Sequence, residues 1–194
     1  MNHDDHVRLI EAAIERNCGG VWADFGAGSG AFTLALRDIA GPDAAIIAID
    51  RDPAGLQTLR ATMERHFPGT QLRLLQADIA DRLALPPLDG IVAANAIHYV
   101  PDQKALLRRW NDYLKPEGRL IVAEYDAETG NSWVPYPLSF ASFGEIAWAA
   151  GFTAPVLLAT RPSRWLGRIY SALAFPTAET PLAGSPGPED APST

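Results

Sequence analysis

Short, uninterrupted apolar runs alternate with amphipathic segments along the chain. The runs are typical of strands buried on both faces, and the segments between them have the spacing of helices that cover a sheet. This alternation predicts a parallel sheet between two helical layers. The predicted strands are residues 20–25, 44–50, 72–76, 90–94, 119–124, 156–159 and 166–173, and the predicted helices are residues 3–16, 31–40, 53–66, 101–114 and 138–150.

The end of the chain departs from this alternation. Only residues 160–164 join the last two predicted strands, whereas a parallel crossover needs about a dozen residues or more. This connection therefore predicts an antiparallel hairpin. Residues 176–194 contain five prolines and no aromatic residue. We expect this tail to be disordered, because it has too little apolar surface to bury, and we expect residues 1–175 to form one domain.

Composition narrows the classes of partner. The net charge of −7 disfavours broad binding to a nucleic-acid backbone, and a single cysteine, Cys18, provides neither a disulfide framework nor a cysteine-based metal site. No apolar run approaches the ~20 residues of a membrane helix, and the N-terminus lacks the apolar segment of a signal peptide. We expect a soluble, cytoplasmic protein without a nucleic-acid or membrane partner. The sequence does not determine the oligomeric state.

The glycine-rich stretch DFGAGSG, residues 24–30, joins the first predicted strand to a helix. A turn of this kind often binds a nucleotide-like ligand, and its spacing also satisfies the dinucleotide fingerprint G-x-G-x-x-G/A. Asp50 ends the second strand, where a carboxylate can accept hydrogen bonds from two ribose hydroxyls. Both features fit a nicotinamide-dependent oxidoreductase as well as other nucleotide-binding proteins. Asp50 could alternatively cap the helix that starts at Pro53.

Two further acids favour a ligand other than a dinucleotide. Asp24 precedes the first glycine, and a carboxylate that points into the site would repel a pyrophosphate but attract an ammonium group. Asp78 and Ile79 follow the third strand, where a carboxylate and a backbone N–H can bind the exocyclic amine and a ring nitrogen of adenine. The two acids therefore favour a ligand that carries an ammonium group and an adenine.

With these motifs, residues 18 to 174 resemble the class I S-adenosylmethionine-dependent methyltransferases. The resemblance implies an α/β, Rossmann-like three-layer sandwich, with seven mostly parallel strands in the order 3-2-1-4-5-7-6 and strand 7 antiparallel. It also implies S-adenosylmethionine as the cofactor, with its amino-acid tail over Gly26 and Gly28. The cofactor-binding residues that it implies are Asp24, Gly26, Ala27, Gly28, Asp50, Arg51, Asp78, Ile79, Asn95 and Ala96.

Arg51 departs from the family pattern, which more often has an apolar residue against the adenine. A guanidinium plane can stack on a base, so the departure bears on Arg51 alone.

Two alternatives stay open on the sequence. A nicotinamide-dependent oxidoreductase would need a substrate domain or a Tyr-x-x-x-Lys pair after the fourth strand, and the sequence has neither. A non-catalytic module that binds the cofactor and regulates a partner would keep every motif.

The candidate acceptor site follows the fourth and fifth strands, since ligands lie at the carboxyl ends of the strands in such sheets. His98 is the candidate general base, although a lone histidine is more often structural. Glu124 ends the fifth strand at the same edge. No close cluster of His, Cys and Asp residues predicts a metal site, so we expect no metal. The acidic net charge and the lack of insertions favour a small-molecule acceptor over nucleic acid or protein. The predicted acceptor-binding residues are His98, Tyr99, Tyr125, Trp133 and Tyr136.

Overall fold

The chain forms one seven-stranded sheet with helices on both faces in a computed structural model that describes residues 1–163 and 165–177. The strand order is β3-β2-β1-β4-β5-β7-β6, as the resemblance implied. The strands are β1 Val21–Phe25, β2 Ala45–Asp50, β3 Gln71–Gln76, β4 Leu88–Ala94, β5 Leu114–Tyr125, β6 Val156–Pro162 and β7 Arg168–Ala174. The helices are α1 His3–Ile10, α2 Ala31–Ala40, α3 Pro53–His66, α4 Gln103–Asn111 and α5 Phe140–Ala149.

Side-chain caps start four of the five helices. Asn2 and Asp5 form a reciprocal capping box on α1, which pairs two otherwise unbonded backbone N–H groups. Asp52 caps α3 directly before Pro53, and Asp102 and Ser139 cap α4 and α5. The longest helix, α3, has 14 residues, and in the described part of the chain no helix is long and apolar enough to cross a membrane.

Alternate residues of the central strands separate the core into two layers. In β2, Ile46 and Ala48 pack with α1, α2 and α3, whereas Ile47 and Ile49 pack with α4 and α5. The second layer includes Trp110, whose ring lies 4.6 Å from that of Phe25. Both faces of the parallel strands are therefore buried, which explains why their sequences are continuous apolar runs.

The last two strands form the predicted antiparallel hairpin. β6 pairs with β7 through residues such as Thr160 and Tyr170, and β7 pairs antiparallel with β5. Residues 115–118, which separate the predicted helix 101–114 from the predicted strand 119–124, instead form a bulge inside β5. Leu88 pairs with Leu114 and Gly90 with Arg119, so the strand pairing resumes after four unpaired residues.

Several predicted boundaries differ from the structure; the helix predicted over residues 101–114, for example, is α4 Gln103–Asn111. The helix predicted over residues 3–16 ends at Ile10 and is followed by a single 3-10 turn, since the chain becomes extended at Ile14. Two residues of the tail predicted from residue 176 are ordered instead: Pro176 forms a bridge with Phe152, and Thr177 donates from its backbone N–H and its hydroxyl to the Gly151 carbonyl. Residues 178–194 of that tail lie outside the described residues.

The topology brings several loops to one edge of the sheet. Helices α2 and α3 follow the carboxyl ends of β1 and β2, and β4 lies on the other side of β1 from β2. The strand order thus reverses between β1 and β4, which is the position where ligands bind in open α/β sheets. The glycine loop after β1 and the turn after β4 meet there.

Gly90 in β4 provides a test of the packing between β4 and the side chain of Trp22. A Cβ at Gly90 would lie 2.2 Å from Cζ3 of the buried Trp22. We expect Gly90→Ala to lower the free energy of unfolding by about 1–3 kcal/mol, the usual cost of overpacking, in urea titrations followed by circular dichroism. Gly144→Ala in α5 is the control, because its nearest neighbour would be 3.9 Å away, and it should stabilise by roughly 0.5–1 kcal/mol. Equal effects of the two substitutions would contradict this packing.

Candidate active site

The glycine loop is folded by close contacts with two neighbouring segments. Gly26 and Gly30 have φ angles of 83° and 95°, a region that favours glycine. A Cβ at Gly26 would lie 2.4 Å from the Ala96 Cβ, and one at Gly30 would lie 2.3 Å from Leu59 Cδ1. The protein's own contacts therefore require glycine at these two positions. Gly26 is one of the two residues over which the resemblance placed the amino-acid tail of the cofactor.

Gly28 differs from its neighbours. Its φ angle is 51°, but a Cβ there would meet no protein atom within 4 Å. Its N–H donates to Oδ2 of Asp50 at 2.7 Å, which fixes the loop against the end of β2. Gly28 thus leaves open space above a backbone that is already hydrogen-bonded.

Asp50 organises the end of β2 and is not the helix cap. Besides Gly28, the backbone N–H of Asp52 donates to Asp50 Oδ1 at 2.8 Å. The cap of α3 is Asp52, whose side chain accepts from the Ala54 N–H. A carboxylate has about four acceptor positions, so Asp50 keeps two for a ligand.

A pocket of about 250 Å³ opens at this edge of the sheet. Seven of the predicted cofactor-binding residues line it, namely Gly26, Asp50, Arg51, Asp78, Ile79, Asn95 and Ala96. The lining is completed by Ala77, Tyr99 and Val100, which were not among the predicted cofactor-binding residues. Each of them is next in sequence to a predicted site residue, so their positions after β3 and β4 could have identified them.

The other three predicted residues, Asp24, Ala27 and Gly28, do not line the pocket. Asp24 is only 1% exposed, and its Oδ2 accepts from the Thr33 hydroxyl on α2 at 2.5 Å. Burial raises the pKa of the Asp24 carboxyl to about 7; the Thr33 hydrogen bond opposes this rise and the Asp50 charge adds to it. The expectation that Asp24 points into the site is therefore wrong: it lies behind the loop.

Asp78 and Ile79 form a turn after β3. The Asp78 Oδ1 accepts from the Ala80 N–H at 2.8 Å, which leaves its other oxygen exposed at the pocket. The Ile79 N–H has no hydrogen-bond partner among residues 1–163 and 165–177. This turn therefore presents one acceptor and one donor side by side.

Asn95 is held in an uncommon backbone conformation directly after β4. Its φ angle is 51°, and its N–H donates to the Ala123 carbonyl at 2.8 Å. Its Oδ1 is buried without a hydrogen-bond partner in the described structure. A buried amide oxygen without a partner is costly, so the Asn95 Oδ1 can gain from accepting a hydrogen bond from a group that binds there.

A second pocket of about 290 Å³ shares Asn95 and Tyr99 with the first. Four of the five predicted acceptor-binding residues line it: His98, Tyr99, Tyr125 and Trp133. Tyr136 does not, although its N–H donates to the His98 carbonyl at 3.0 Å. The pocket also contains Asn131, Val134 and Trp165, which the sequence analysis did not assign.

His98 and Glu124 form a buried pair at the second pocket. The His98 Nδ1 lies 2.7 Å from Glu124 Oε2, and the two side chains are 2% and 0% exposed. The Glu124 Oε1 accepts from the N–H groups of Ala96 and Ile97 at 2.9 and 2.8 Å, and from that of His98 at 3.4 Å. Since a carboxylate accepts, Nδ1 carries the proton, and Nε2 is an acceptor with no partner in the described part of the chain.

The role of Glu124 was missed at the sequence level, where it was only a candidate for contact with the acceptor. It is fully enclosed and touches the turn after β4 instead. The contact could have been expected from the place of Glu124 at the end of β5, the parallel neighbour of β4.

Within residues 1–163 and 165–177, no three His, Cys, Asp or Glu side chains are grouped so that they could hold a metal ion.

The buried Asp24 predicts a specific pH dependence. Its folded-state pKa of about 7 lies above the ordinary 3.8, so its contribution to stability is complete below pH 3.8 and is lost as the pH rises through 7. We therefore expect the free energy of unfolding of the wild type, minus that of Asp24→Asn, to fall by a few kcal/mol between roughly pH 4 and pH 8. The exposed Asp81→Asn is the control. A difference that stays constant with pH would contradict the burial of an ionisable Asp24.

Comparison with known proteins gives the family. A family model described as a methyltransferase domain matches residues 19–141. A probable cobalt-precorrin-6B C(15)-methyltransferase (decarboxylating) of Methanothermobacter thermautotrophicus is 32% identical over 122 residues, which are 62% of this chain and 60% of that protein. The corresponding protein of Thermoplasma volcanium is 28% identical over 131 residues, 67% of this chain and 64% of its own. The chain thus spans about three fifths of the length of these relatives.

Solved structures share the fold. The YcgJ protein of Bacillus subtilis has a TM-score of 0.75 at 14% identity, covering 91% of this chain and 100% of that one. The magnesium protoporphyrin IX methyltransferase of Synechocystis, solved with bound S-adenosylmethionine, has a TM-score of 0.66 at 17% identity, covering 90% and 78%. The oxidoreductase alternative finds no support in these matches. The chain belongs to the methyltransferase-domain family and has the fold of the class I S-adenosylmethionine-dependent methyltransferases.

Proposed function

We propose that this protein transfers a methyl group from S-adenosylmethionine to a small-molecule acceptor, with His98 as the general base. The observation that carries the proposal is the buried His98–Glu124 pair at a pocket that shares Asn95 and Tyr99 with the pocket beside the glycine loop. The first pocket would hold the cofactor and the second the acceptor, so the shared residues lie where the two molecules would meet.

The unpaired groups of the first pocket fit the cofactor. Asp50 has two acceptor positions left for ribose hydroxyls, and Asp78 with the Ile79 N–H offers an acceptor and a donor to adenine. Gly28 leaves open space for the amino-acid tail, and the partnerless Asn95 Oδ1 would accept from the ammonium group. Asp24 is not part of this contact set, because it is enclosed behind the loop.

The cofactor supplies a methyl group that its positively charged sulfur already makes electrophilic. The protein's task is to align an acceptor atom with that methyl group and to remove its proton. Holding two reactants in a productive orientation can lower a barrier by about 7–11 kcal/mol. The wall formed by Asn95 and Tyr99 lies at the boundary of both pockets and is suited to set this alignment.

His98 is arranged to accept the proton. Glu124 holds the Nδ1–H, so the acceptor nitrogen Nε2 is directed away from Glu124. When Nε2 takes a proton, the ring becomes a cation 2.7 Å from the Glu124 carboxylate, which stabilises it. A base positioned in this way contributes typically 10²–10⁴-fold to a rate.

Two observations support a small acceptor. The pocket at His98 has a volume of only about 290 Å³, and the relatives are named for cobalt-precorrin-6B, a small molecule. The net charge of −7 supports the further proposal that nucleic acid is not an acceptor. We also propose a cytoplasmic location and a reaction without a metal.

Gly28, which does not line the first pocket but donates to Asp50 of that pocket, tests where the amino-acid tail of the cofactor lies. We expect the wild type to bind S-adenosylhomocysteine in calorimetry and not to bind NADH. Gly28→Ala should weaken that binding about tenfold or more, since its new methyl group would occupy the space reserved for the ligand. Gly69→Ala is the matched control, because Gly69 has a φ of 77°, also has no atom within 4 Å, and lies beyond the opposite end of α3. Both variants should lose similar stability, about 1–2 kcal/mol. Equal affinities of the two variants would contradict this placement of the cofactor.

The role of His98 is tested by turnover. With methyl-labelled S-adenosylmethionine and a metabolite extract, we expect His98→Ala to form labelled product roughly 10²-fold more slowly than the wild type. Its affinity for S-adenosylhomocysteine should stay within about twofold, since His98 does not line the first pocket. The exposed His66→Ala is the control. Unchanged turnover would leave positioning alone as the mechanism, and a wild type that binds the cofactor but labels nothing would favour a non-catalytic binding module.

A further inference from the structure

The pocket at His98 is walled by aromatic side chains from three separate segments. Tyr99 lies in the turn after β4. Tyr125 is the last residue of β5, and Trp133 lies in the loop that follows it. Trp165 lies in the β6–β7 hairpin. The exposed fraction of these residues rises from 1% at His98 to 66% at Trp165 and 70% at Trp133. The histidine is therefore at the deep end, and the two indoles form the rim. Exposed indoles that line a pocket are suited to contact a flat apolar ring.

Among the described residues that line this pocket, none has a charged side chain to pair with a ligand. Its described lining contains no lysine, arginine, aspartate or glutamate. Glu124 lies behind His98, but its carboxylate is enclosed and already accepts from four donors. A carboxylate, phosphate or ammonium group would lose its hydration here without gaining an ionic partner. The lining thus favours a neutral ligand.

The unpaired Nε2 of His98, at the deep end of the pocket, selects the kind of group that can react there. His98 Nε2 can take a proton but, in the tautomer fixed by Glu124, cannot donate one. A phenolic hydroxyl has a pKa of about 10, whereas the pKa of water is far higher. Proton transfer to an imidazole is consequently far less uphill from an aromatic hydroxyl than from a water-like, aliphatic one.

We infer that the methyl acceptor is a neutral, planar aromatic hydroxyl compound, with its ring between Trp133 and Trp165 and its hydroxyl at His98. The inference rests on the proposed methyltransferase function. In the reaction, the hydroxyl proton moves to His98 Nε2, and the oxygen forms a bond to the methyl carbon as the carbon–sulfur bond breaks. The products are an aryl methyl ether and S-adenosylhomocysteine, and His98 returns its proton to water.

Binding of three matched naphthalene compounds to the protein saturated with S-adenosylhomocysteine tests the inference. We expect 2-naphthol to bind at least tenfold more tightly than decahydro-2-naphthol, which lacks the flat ring, and than 2-naphthoate, which is charged. Trp165→Ala and Trp133→Ala should each weaken 2-naphthol binding by about threefold to tenfold. Tyr136→Ala is the control, since Tyr136 belongs to the same loop as Trp133 but lies outside the pocket, and it should change the affinity by less than twofold.

Turnover completes the test. With S-adenosylmethionine, mass spectrometry should detect 2-methoxynaphthalene from 2-naphthol. Tighter binding of 2-naphthoate or of the saturated alcohol, tryptophan variants no weaker than Tyr136→Ala, or bound 2-naphthol without methyl ether would each overturn the inference. Calorimetry with S-adenosylhomocysteine separates the two levels. A protein that does not bind it refutes the proposed function, whereas one that binds it but shows any of these outcomes refutes only the aromatic acceptor.

Discussion

The geometry of both pockets depends on the hydrogen bonds that the Glu124 carboxylate accepts. Burying a charge is costly unless it is fully hydrogen-bonded, and Glu124 meets this condition with three backbone N–H groups and the His98 ring. The backbone groups belong to the turn after β4, so a residue of β5 fixes that turn. Ala96 in the same turn lies against Gly26, where no Cβ fits. The glycine loop, the turn and the imidazole are thereby held as one unit.

The fold could be predicted because its signals are local. Each central strand is an apolar run. Asp52 and Pro53 mark the start of α3, and Gly41 marks the end of α2, so both helices have the predicted bounds. The five-residue connection sufficed for the hairpin. The errors arose where tertiary pairing overrides local pattern. Lys115–Gly118 has turn residues but is enclosed in β5, because Leu114 pairs with Leu88 before the bulge. Thr177 is attached to Gly151, which composition does not reveal.

The candidate site could be predicted only in part, because sequence position gives the sheet edge but not depth. Asp50 ends β2, and Asp78 and Asn95 follow β3 and β4 at the same edge of the sheet, where all three line the first pocket. Asp24 is the penultimate residue of β1 at the same edge, yet it is buried and accepts a hydrogen bond from Thr33 on α2. The pairing of His98 with Glu124 joins residues 26 positions apart, and Trp165 reaches the second pocket from a hairpin at the other end of the chain. Local patterns carry no information about such distant contacts.

The tautomer of His98 tests the central claim directly, because the proposed base needs an unprotonated Nε2 held in place by Glu124. Nitrogen-15 NMR of the imidazole, at pH 8 and with S-adenosylhomocysteine bound, distinguishes the two nitrogens without knowledge of the acceptor. The account predicts a proton on Nδ1 and none on Nε2, and a loss of this preference in Glu124→Ala. A proton on Nε2 with a bare Nδ1 in the wild type would contradict it.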